Sequence, residues 1–470
     1  MYNLLLRYGF TVCVLSYALL HIFSLMISAA WVFHLMSAAG LGALVLALIH
    51  LGPAKGPVPS LLTSASLVIG YAALGNELWS MMWEGIREMS SVILLLLVVP
   101  AIGWVLREEH YIEALVGSAK QLFNTSKRFY AGLMFMTQFV AYFLLFGSIP
   151  MLFQFVQVLL GDKKGEDWEY FKGTALLRGF GVSTIWVISI PSVVFIIEST
   201  GASLGFTLIQ GFFIAVLGVG LSLLFLLIHE KRSGIDYTTG ILAELEEKMA
   251  ASDSSRHQSL AKEFIILFLT LFGPILVINS IVDWGLLLTI SMWVPVWSLS
   301  YYCLKKKSRP FVSKTRTYLQ SGLLQKSQEL GIMLSAGMLI TIVHESGGGT
   351  WAINMIVTIS ETTFLHILWI LPFLVIFLGF VGLGPLTVMV LVGGILEGAG
   401  LPYPPELIVL SLTLGSAITV FLSPLILPLI VLSQSNGLSM WKNGLRFNLG
   451  YSISFYVLVQ IYMMIMLAIW

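Results

Sequence analysis

The second half of this chain repeats the first at an interval of about 235 residues, half its length. FLLFGSIPMLFQFVQVLL over Phe143–Leu160 aligns with LGFVGLGPLTVMVLVGGIL over Leu378–Leu396, so that Gly147 answers Gly382 and Pro150 answers Pro385. Further on, the stretch Gly179–Ser203 aligns with Leu414–Ser439, pairing Gly181 with Gly415, Ser189 with Ser423 and Ser199 with Ser433. In both copies Gly and Pro interrupt long apolar runs. Paired, interrupted hydrophobic segments at corresponding places in two halves point to the binding site of a secondary transporter.

Composition fixes the solvent. Hydrophobic residues make up 57%, charged residues only 10%, and mean hydropathy is +0.92, against roughly 25% charged residues in an ordinary soluble domain. Runs such as Phe264–Val282 are long enough to cross a hydrocarbon layer of ~30 Å. They are continuously apolar rather than alternating, which excludes a β-barrel pattern. The chain reads as an all-α polytopic membrane protein. Cys13 and Cys303 both lie in apolar stretches and supply neither a disulfide framework nor a thiolate metal site. The first apolar run, Phe10–Trp31, is longer than a signal-peptide core and is followed at once by another, so it reads as a retained helix.

Cationic loops stay in the cytoplasm. Lys305, Lys306, Lys307, Arg309, Lys314 and Arg316 form the strongest cluster, and the polar segment Glu230–Lys262 falls on the same side. Arg107, Lys120, Lys127 and Arg128 precede residues 129–160, and Lys163, Lys164 and Lys172 follow them. That segment therefore enters and leaves from the cytoplasm as a re-entrant hairpin. The stretches 347–365 and 397–406 carry no Lys or Arg and read as outside, which makes 366–396 an outward-opening hairpin. Lys442 and Arg446 mark an inside loop, whereas its counterpart 200–205 is neutral and outside.

The charge rule thus gives two inverted repeats holding about eleven transmembrane helices and two re-entrant hairpins. The spans are 10–31, 35–52, 62–83, 89–106, hairpin 129–160, 174–199, 206–229, 264–283, 285–304, 325–345, hairpin 366–396, 406–434 and 447–470. An extra N-terminal helix occupies 1–34, the first repeat 35–229, a cytoplasmic linker 230–262 and the second repeat 263–470. The expected location is the cell membrane, with the N-terminus cytoplasmic and the C-terminus outside.

Five helices plus a hairpin, repeated inverted after one extra helix, resembles the ion transporter superfamily of divalent anion/sodium symporters and arsenite-permease or sodium/proton-antiporter-like carriers. LGIMLSAGMLITIVHESGG (Leu330–Gly348) is similar to that superfamily's helix ending in an acidic-Gly turn, and Leu94–Leu115 to its first-half partner. GSAITVFLSPLILPLIVLS (Gly415–Ser433) resembles its interrupted helix with a Ser-Pro break. The tips here read Gly147-Ser148-Ile149-Pro150 and Gly382-Leu383-Gly384-Pro385, not the Ser-Asn-Thr of the dicarboxylate symporters. The resemblance implies a secondary carrier.

A broken helix is tolerated in hydrocarbon only where it is buried or lines water. Pro191 and Pro424 lack an N–H, which points to freed carbonyls at Val187 and Val420 as cation ligands. Ser189, Ser423 and Thr419 complete the candidate coupling-ion set, with Na⁺ as the candidate ion. Helix N-termini suit an anion, so the candidate substrate residues are Gly147, Ser148, Pro150, Gly382, Gly384, Pro385, Ser183, Thr184 and Ser416. Glycines at the tips let backbone N–H groups approach a ligand.

Other polar residues have plainer readings. Glu198, Glu345 and His344 fall near span ends, Arg178 reads as a snorkelling anchor, and His21, His34 and His50 as structural or interfacial. Gln138, Gln154 and Gln157 lie on the first hairpin, and the acidic segment Gly240–Ala251 reads as a solvated linker helix. There is no nucleotide-binding P-loop and no metal-ligand spacing.

The leading function is therefore a non-enzymatic secondary active transporter moving a small anion or metabolite, coupled to H⁺ or Na⁺ by alternating access. The alternative is a membrane-embedded enzyme or lipid-handling protein acting on a prenyl-linked substrate, with Arg107–Glu113 as its only polar cluster. The partners are the bilayer, the small-molecule cargo and, as an expectation, a second copy in a homodimer; nucleic acid has no place in this reading.

Overall fold

The computed structural model describes residues 2–109, 111, 114–115, 125–160, 163, 165–249, 254–282, 284–363, 366–397 and 401–469. Lys120, Lys164, Glu113 and Gly398 lie outside them. The described residues form helices and turns without a β-strand. Nine helical stretches among them are long and apolar enough to cross a membrane, or ten if the pair Ser327–Glu345 and Gly348–Thr363, bent by 77°, counts as one span. The chain is a multi-span, all-α membrane protein.

Several boundaries differ from the sequence reading, each for a local reason. Helix α1 (Tyr2–Ser24) ends where Met26 and Ile27 both donate to the Phe23 carbonyl, so the first turn precedes α2 (Ala30–Lys55) rather than Leu35. Helix α2 is kinked at Gly52 (φ 60°), next to Pro53. The stretch 62–83 is not one helix: α3 (Pro57–Leu74) stops at Gly75, whose φ is 56°, and α4 (Leu78–Glu88) follows a short 3₁₀ turn. The stretch 89–106 divides into α5 (Ser90–Val98) and α6 (Pro100–Leu106), because Pro100 has no N–H to continue the ladder.

The middle of the chain supplies the first candidate hairpin, α7 (Ser126–Leu144) and α8 (Ser148–Leu159), then α9 (Glu166–Ser183), α10 (Pro191–Thr200), α11 (Leu204–Ser233), α12 (Tyr237–Met249) and α13 (Ser254–Ile281). Next come α14 (Leu286–Leu304), α15 (Ser308–Thr317), α16 (Ser327–Glu345) and α17 (Gly348–Thr363). The stretch 347–365, which the charge rule puts outside and between two spans, is not unstructured. Its apolar run Ala352–Ile359 is instead helical, and Gly347 (φ 73°) makes the turn into it. The last helices are α18 (Ile367–Phe380), α19 (Pro385–Leu396), α20 (Pro405–Leu422), α21 (Leu427–Asn436) and α22 (Phe447–Ile469).

These helices assemble into two compact units, each drawn from both halves of the sequence. The first holds Met1–Val105, Ile278–Thr363 and Val390–Gly400. Its centre is α16, which packs on α2, α3 and α4. Glycine permits that approach: a Cβ on Gly337 would lie 2.4 Å from the Gly85 carbonyl oxygen, and one on Gly85 would lie 2.8 Å from Met338 Cα. Such backbone contact is the small-residue packing that membrane helices use in place of a hydrophobic driving force.

The second unit holds Leu106–Val277, Phe364–Met389 and Leu401–Trp470. Two helices run through its core. Every residue from Glu406 to Leu422 on α20 is buried, and so is every residue from Tyr170 to Ser183 on α9. All the candidate site residues fall in this unit.

Candidate functional site

Corresponding positions meet twice in the second unit, though through different hydrogen bonds. A Cβ on Gly179 of α9 would sit 2.9 Å from the Met134 carbonyl oxygen of α7, and one on Gly415 of α20 would sit 2.7 Å from the Pro372 carbonyl oxygen of α18. Tyr142 donates to the Trp186 carbonyl at 3.1 Å, and Ser423 donates to the Gly379 carbonyl at 3.0 Å. Tyr130 and Thr174 share a 2.9 Å hydrogen bond; Ser411 donates to the Leu368 carbonyl at 2.8 Å.

One interval, 237 residues, separates Tyr142 from Gly379, Trp186 from Ser423, Ser148 from Pro385 and Pro191 from Pro428. It is slightly longer than the 235 residues between Gly147 and Gly382. Contact equivalence therefore pairs Ser423 with Trp186, not with Ser189, and Pro191 with Pro428, not with Pro424.

The tips obey the same interval. Leu145 (φ 50°) closes α7 and Gly382 (φ 98°) closes α18; both lie in the positive-φ region that disfavours side chains. Gly147, by contrast, has an ordinary φ of −65°, and a Cβ there would meet only Leu144 and Arg107 at 3.5–3.6 Å. The conformational glycine is Gly382, and in the first copy a leucine bears the strain. Ser148 and Pro385 each begin the second arm, with Pro150 in the first turn of α8. Around Gly384 there is open space for a Cβ.

Each of these turns lies beside the interruption that follows it in the chain. Phe146 packs on Phe180, with ring centroids 5.6 Å apart, and a Cβ on Gly382 would touch Leu425 at 3.6 Å. The breaks span 184–190 and 423–426. Their backbone chemistry differs. The first winds into tight turns: Thr184, Ile185, Trp186 and Val187 donate to carbonyls of 181–183, and Ile190 donates to Val187 at 3.2 Å. The Val187 carbonyl is thus not freed by Pro191, because the turn supplies a different donor. At the second break Ser423 closes the ladder on Thr419, and Pro424 brings no N–H for the Val420 carbonyl. Only Val420 keeps the geometry expected of a freed carbonyl.

Most hydroxyls at the breaks have spent their proton. Ser183 donates to Phe180 (2.6 Å), Thr184 to Gly181 (2.7 Å), Thr419 to Gly415 (2.8 Å) and Ser423 to Gly379 (3.0 Å), each to a carbonyl oxygen. Ser148 at the first tip does the same to Leu145 (2.7 Å). A hydroxyl has one proton and two lone pairs. So held, these five can accept from, or ligate, a cation, but they have nothing left to donate to an anion. Ser189 differs: its Oγ is buried without a hydrogen-bond partner. Ser416 is also buried, on α20.

Arg178 is not a snorkelling anchor. It is fully buried on α9 and engages all five N–H groups. Nε donates to Asn448 Oδ1 (2.8 Å); Nη1 to Ser222 (3.0 Å) and Tyr130 (3.5 Å); Nη2 to the Phe447 carbonyl (2.9 Å) and Tyr170 (3.3 Å). The Tyr451 ring lies 4.5 Å from its carbon Cζ, a cation–π contact. The network continues. Asn448 donates to the Asn443 carbonyl (2.6 Å), and Asn443 and Asn436 exchange amide hydrogen bonds of 2.8 and 3.0 Å. Asn443 lies in a π-helical turn, Lys442–Arg446, of a kind frequent at functional sites. Sequence reading missed this network because Asn436, Asn443 and Asn448 stand singly in apolar context.

The linker helix is docked rather than solvated. Tyr237 and Ile241 of α12 are fully buried. Tyr237 donates to the Asp167 carbonyl at 2.9 Å, and Thr238 Oγ1 accepts from the Ser126 amide at 3.1 Å, at the start of α7. Asp236 accepts from the Thr239 hydroxyl and caps the helix through the Thr239 and Thr238 amides, and these bonds, the hydroxyl's above all, hold its carboxyl below the ordinary range. A cleft of about 600 Å³ between Ser126, Lys127, Glu230, Lys231 and Asp236 opens beside it, away from the breaks. Glu198, His344 and Glu345 are exposed near helix ends, and Gln154 and Gln157 are exposed along α8. Gln138 is buried and accepts from Trp186 Nε1 at 2.9 Å. His21 is buried beside Ser91, and His34 accepts from Trp83 at 3.2 Å.

Neither a scan against protein-family models nor a search of curated proteins finds a match to this chain. What its geometry establishes is a multi-span helical membrane protein whose two interrupted helices lie in the core of one compact unit.

Proposed function

We propose that this chain is a secondary active transporter of the ion-transporter type, moving a small anion or metabolite coupled to H⁺ or Na⁺ by alternating access, and not an enzyme. The observation that carries the reading is the recurrence of turn, break and helix-crossing contacts at corresponding positions, 236–238 residues apart, inside a single unit. Carriers place their site where two such repeats meet, near the bilayer midplane. Buried breaks are the places where backbone groups become available to a ligand without exposure to lipid.

The hydroxyl orientations sharpen the division of labour. Ser183, Thr184, Thr419 and Ser423 present lone pairs, which suits a coupling cation together with the Val420 carbonyl. An anionic cargo would then rely on backbone N–H groups at the starts of α8, α10, α19 and α21 and on the Ser189 hydroxyl. Purified protein in proteoliposomes, screened with organic and inorganic anions under imposed Na⁺ and H⁺ gradients, tests this. Gradient-driven accumulation supports it; gradient-independent turnover of a lipid-linked substrate replaces it with the enzymatic alternative.

A further inference from the structure

We propose that α15 is an interfacial helix that binds the headgroups of anionic phospholipids. Between Trp284 and Gln328 the chain has seven Lys and Arg and no Asp or Glu. Helix α15 continues through a π-helical turn, Tyr318–Gly322, as far as Gln325, is not among the helices apolar enough to cross a membrane, and starts directly after the spanning helix α14. It therefore lies at the membrane surface.

Its two faces differ. Phe311 packs on Tyr302 (5.1 Å) and Trp104 (6.3 Å), and Lys314 donates to Tyr302 and the Trp104 carbonyl at 3.2 and 3.3 Å, so this face is fixed to the first unit. The opposite face carries Arg309, Val312 and Arg316, at the spacing that stacks side chains on one side of a helix. All three are exposed, Val312 to 63%, and Leu304 just before the helix to 84%. Exposed apolar side chains among guanidinium groups match the acyl–headgroup boundary, where both are satisfied at once. Guanidinium groups pair with phosphate oxygens in a bidentate way.

The turn into α15 adds a further cation at a conformational cost. Lys307 donates to the Tyr302 carbonyl and Lys306 to Cys303, closing α14 with Lys306 at φ 54°, where glycine is the usual residue. The chain holds an exposed lysine at this strained position. Positive-inside topology accounts for the cations alone; it does not account for the paired apolar exposure.

The test uses full-length purified protein titrated with phosphatidylglycerol or phosphatidylcholine, with retained lipid counted by native mass spectrometry. A preference for phosphatidylglycerol that weakens with salt is expected. The variant Lys306→Gln/Arg309→Gln/Arg316→Gln is expected to lower it roughly a hundredfold, since each cation near an anionic surface is worth about fivefold. Val312→Asn, which keeps every charge, is expected to weaken retention of phosphatidylglycerol as well. Equal retention of both lipids by the unaltered protein overturns the proposal, as does full preference in the triple variant. Competition by ~10 mM inorganic phosphate at matched ionic strength assigns the site to a free anion instead and equally overturns it.

Discussion

Arg178 and Asn448 come from opposite halves of the chain and are joined by a 2.8 Å hydrogen bond from Nε to Oδ1. That bond begins a polar strut which runs through Asn443 to Asn436 and fixes the first interrupted helix to the end of α21. A buried guanidinium is costly unless every donor is met. Asn448→Leu leaves Nε unpaired and is expected to cost about 1–3 kcal/mol, read as a lower thermal midpoint in lipid nanodiscs. Arg178→Lys, with three donors for five acceptors, should cost at least as much. Asn448→Asp should stay closer to the unaltered protein, because a carboxylate gives the cation a counter-charge. Equal midpoints for Asn448→Leu and the unaltered protein would contradict the strut.

The two tips respond oppositely to substitution. Gly382→Ala forces a side chain into φ 98°, whereas Leu145→Gly removes one from φ 50°. The first is expected to destabilise by about 1–2 kcal/mol and the second to be neutral or stabilising. Thermal midpoints of the two variants check this, and loss of stability in Leu145→Gly would show that its side chain outweighs its backbone.

Gly179 and Gly415 carry the matched helix crossings. Valine at either is expected to lower folded yield, since backbone atoms below 3.0 Å cannot retreat as a flexible side chain does. Gly220→Val is the control, because nothing lies within 4 Å of its Cβ position. Size-exclusion profiles after mild solubilisation separate the two classes; equal profiles for Gly179→Val and Gly220→Val would remove the crossing argument.

Helix α12 is held by Tyr237, Thr238 and its Asp236 cap. Tyr237→Ala should open the linker to trypsin while leaving the spans intact. Acid should loosen it too. The Asp236 carboxyl is depressed below its ordinary value, so its contribution is complete above about pH 4 and is lost as pH falls through its folded value. Protease accessibility unchanged between pH 6 and pH 3 in an acid-active protease assay would argue against that cap.

The sequence made the solvent, the helical class and the two interrupted regions legible, because apolar run length and Gly-Pro punctuation are local signals. The contacts pair positions 236–238 residues apart, slightly further than the interval read from the glycines. Glycines were matched to glycines, yet the equivalent of Gly382 is Leu145, and the equivalent of Ser423 is Trp186, whose carbonyl rather than side chain makes the contact. Backbone conformation and carbonyl acceptors leave no mark in residue identity. The Val187 carbonyl failed for a related reason: proline removes one donor, and a 3₁₀-like turn supplied another. Arg178 read as an anchor because its five acceptors come from four helices, α7, α9, α11 and α22, that only tertiary structure brings together.

Inversion of the two copies is the central claim, and the equivalent helix ends Gly201 and Gly437 test it most directly. Both close a ten-residue helix in the left-handed conformation, and Ser203 and Ser439 are exposed just beyond them. In a chain free of Cys13 and Cys303, Ser203→Cys and Ser439→Cys are each treated with a membrane-impermeant maleimide on intact cells and on inverted vesicles. An inverted repeat requires opposite sides: labelling at position 203 from outside only and at position 439 from inside only. Labelling of both positions from the same side would contradict the account.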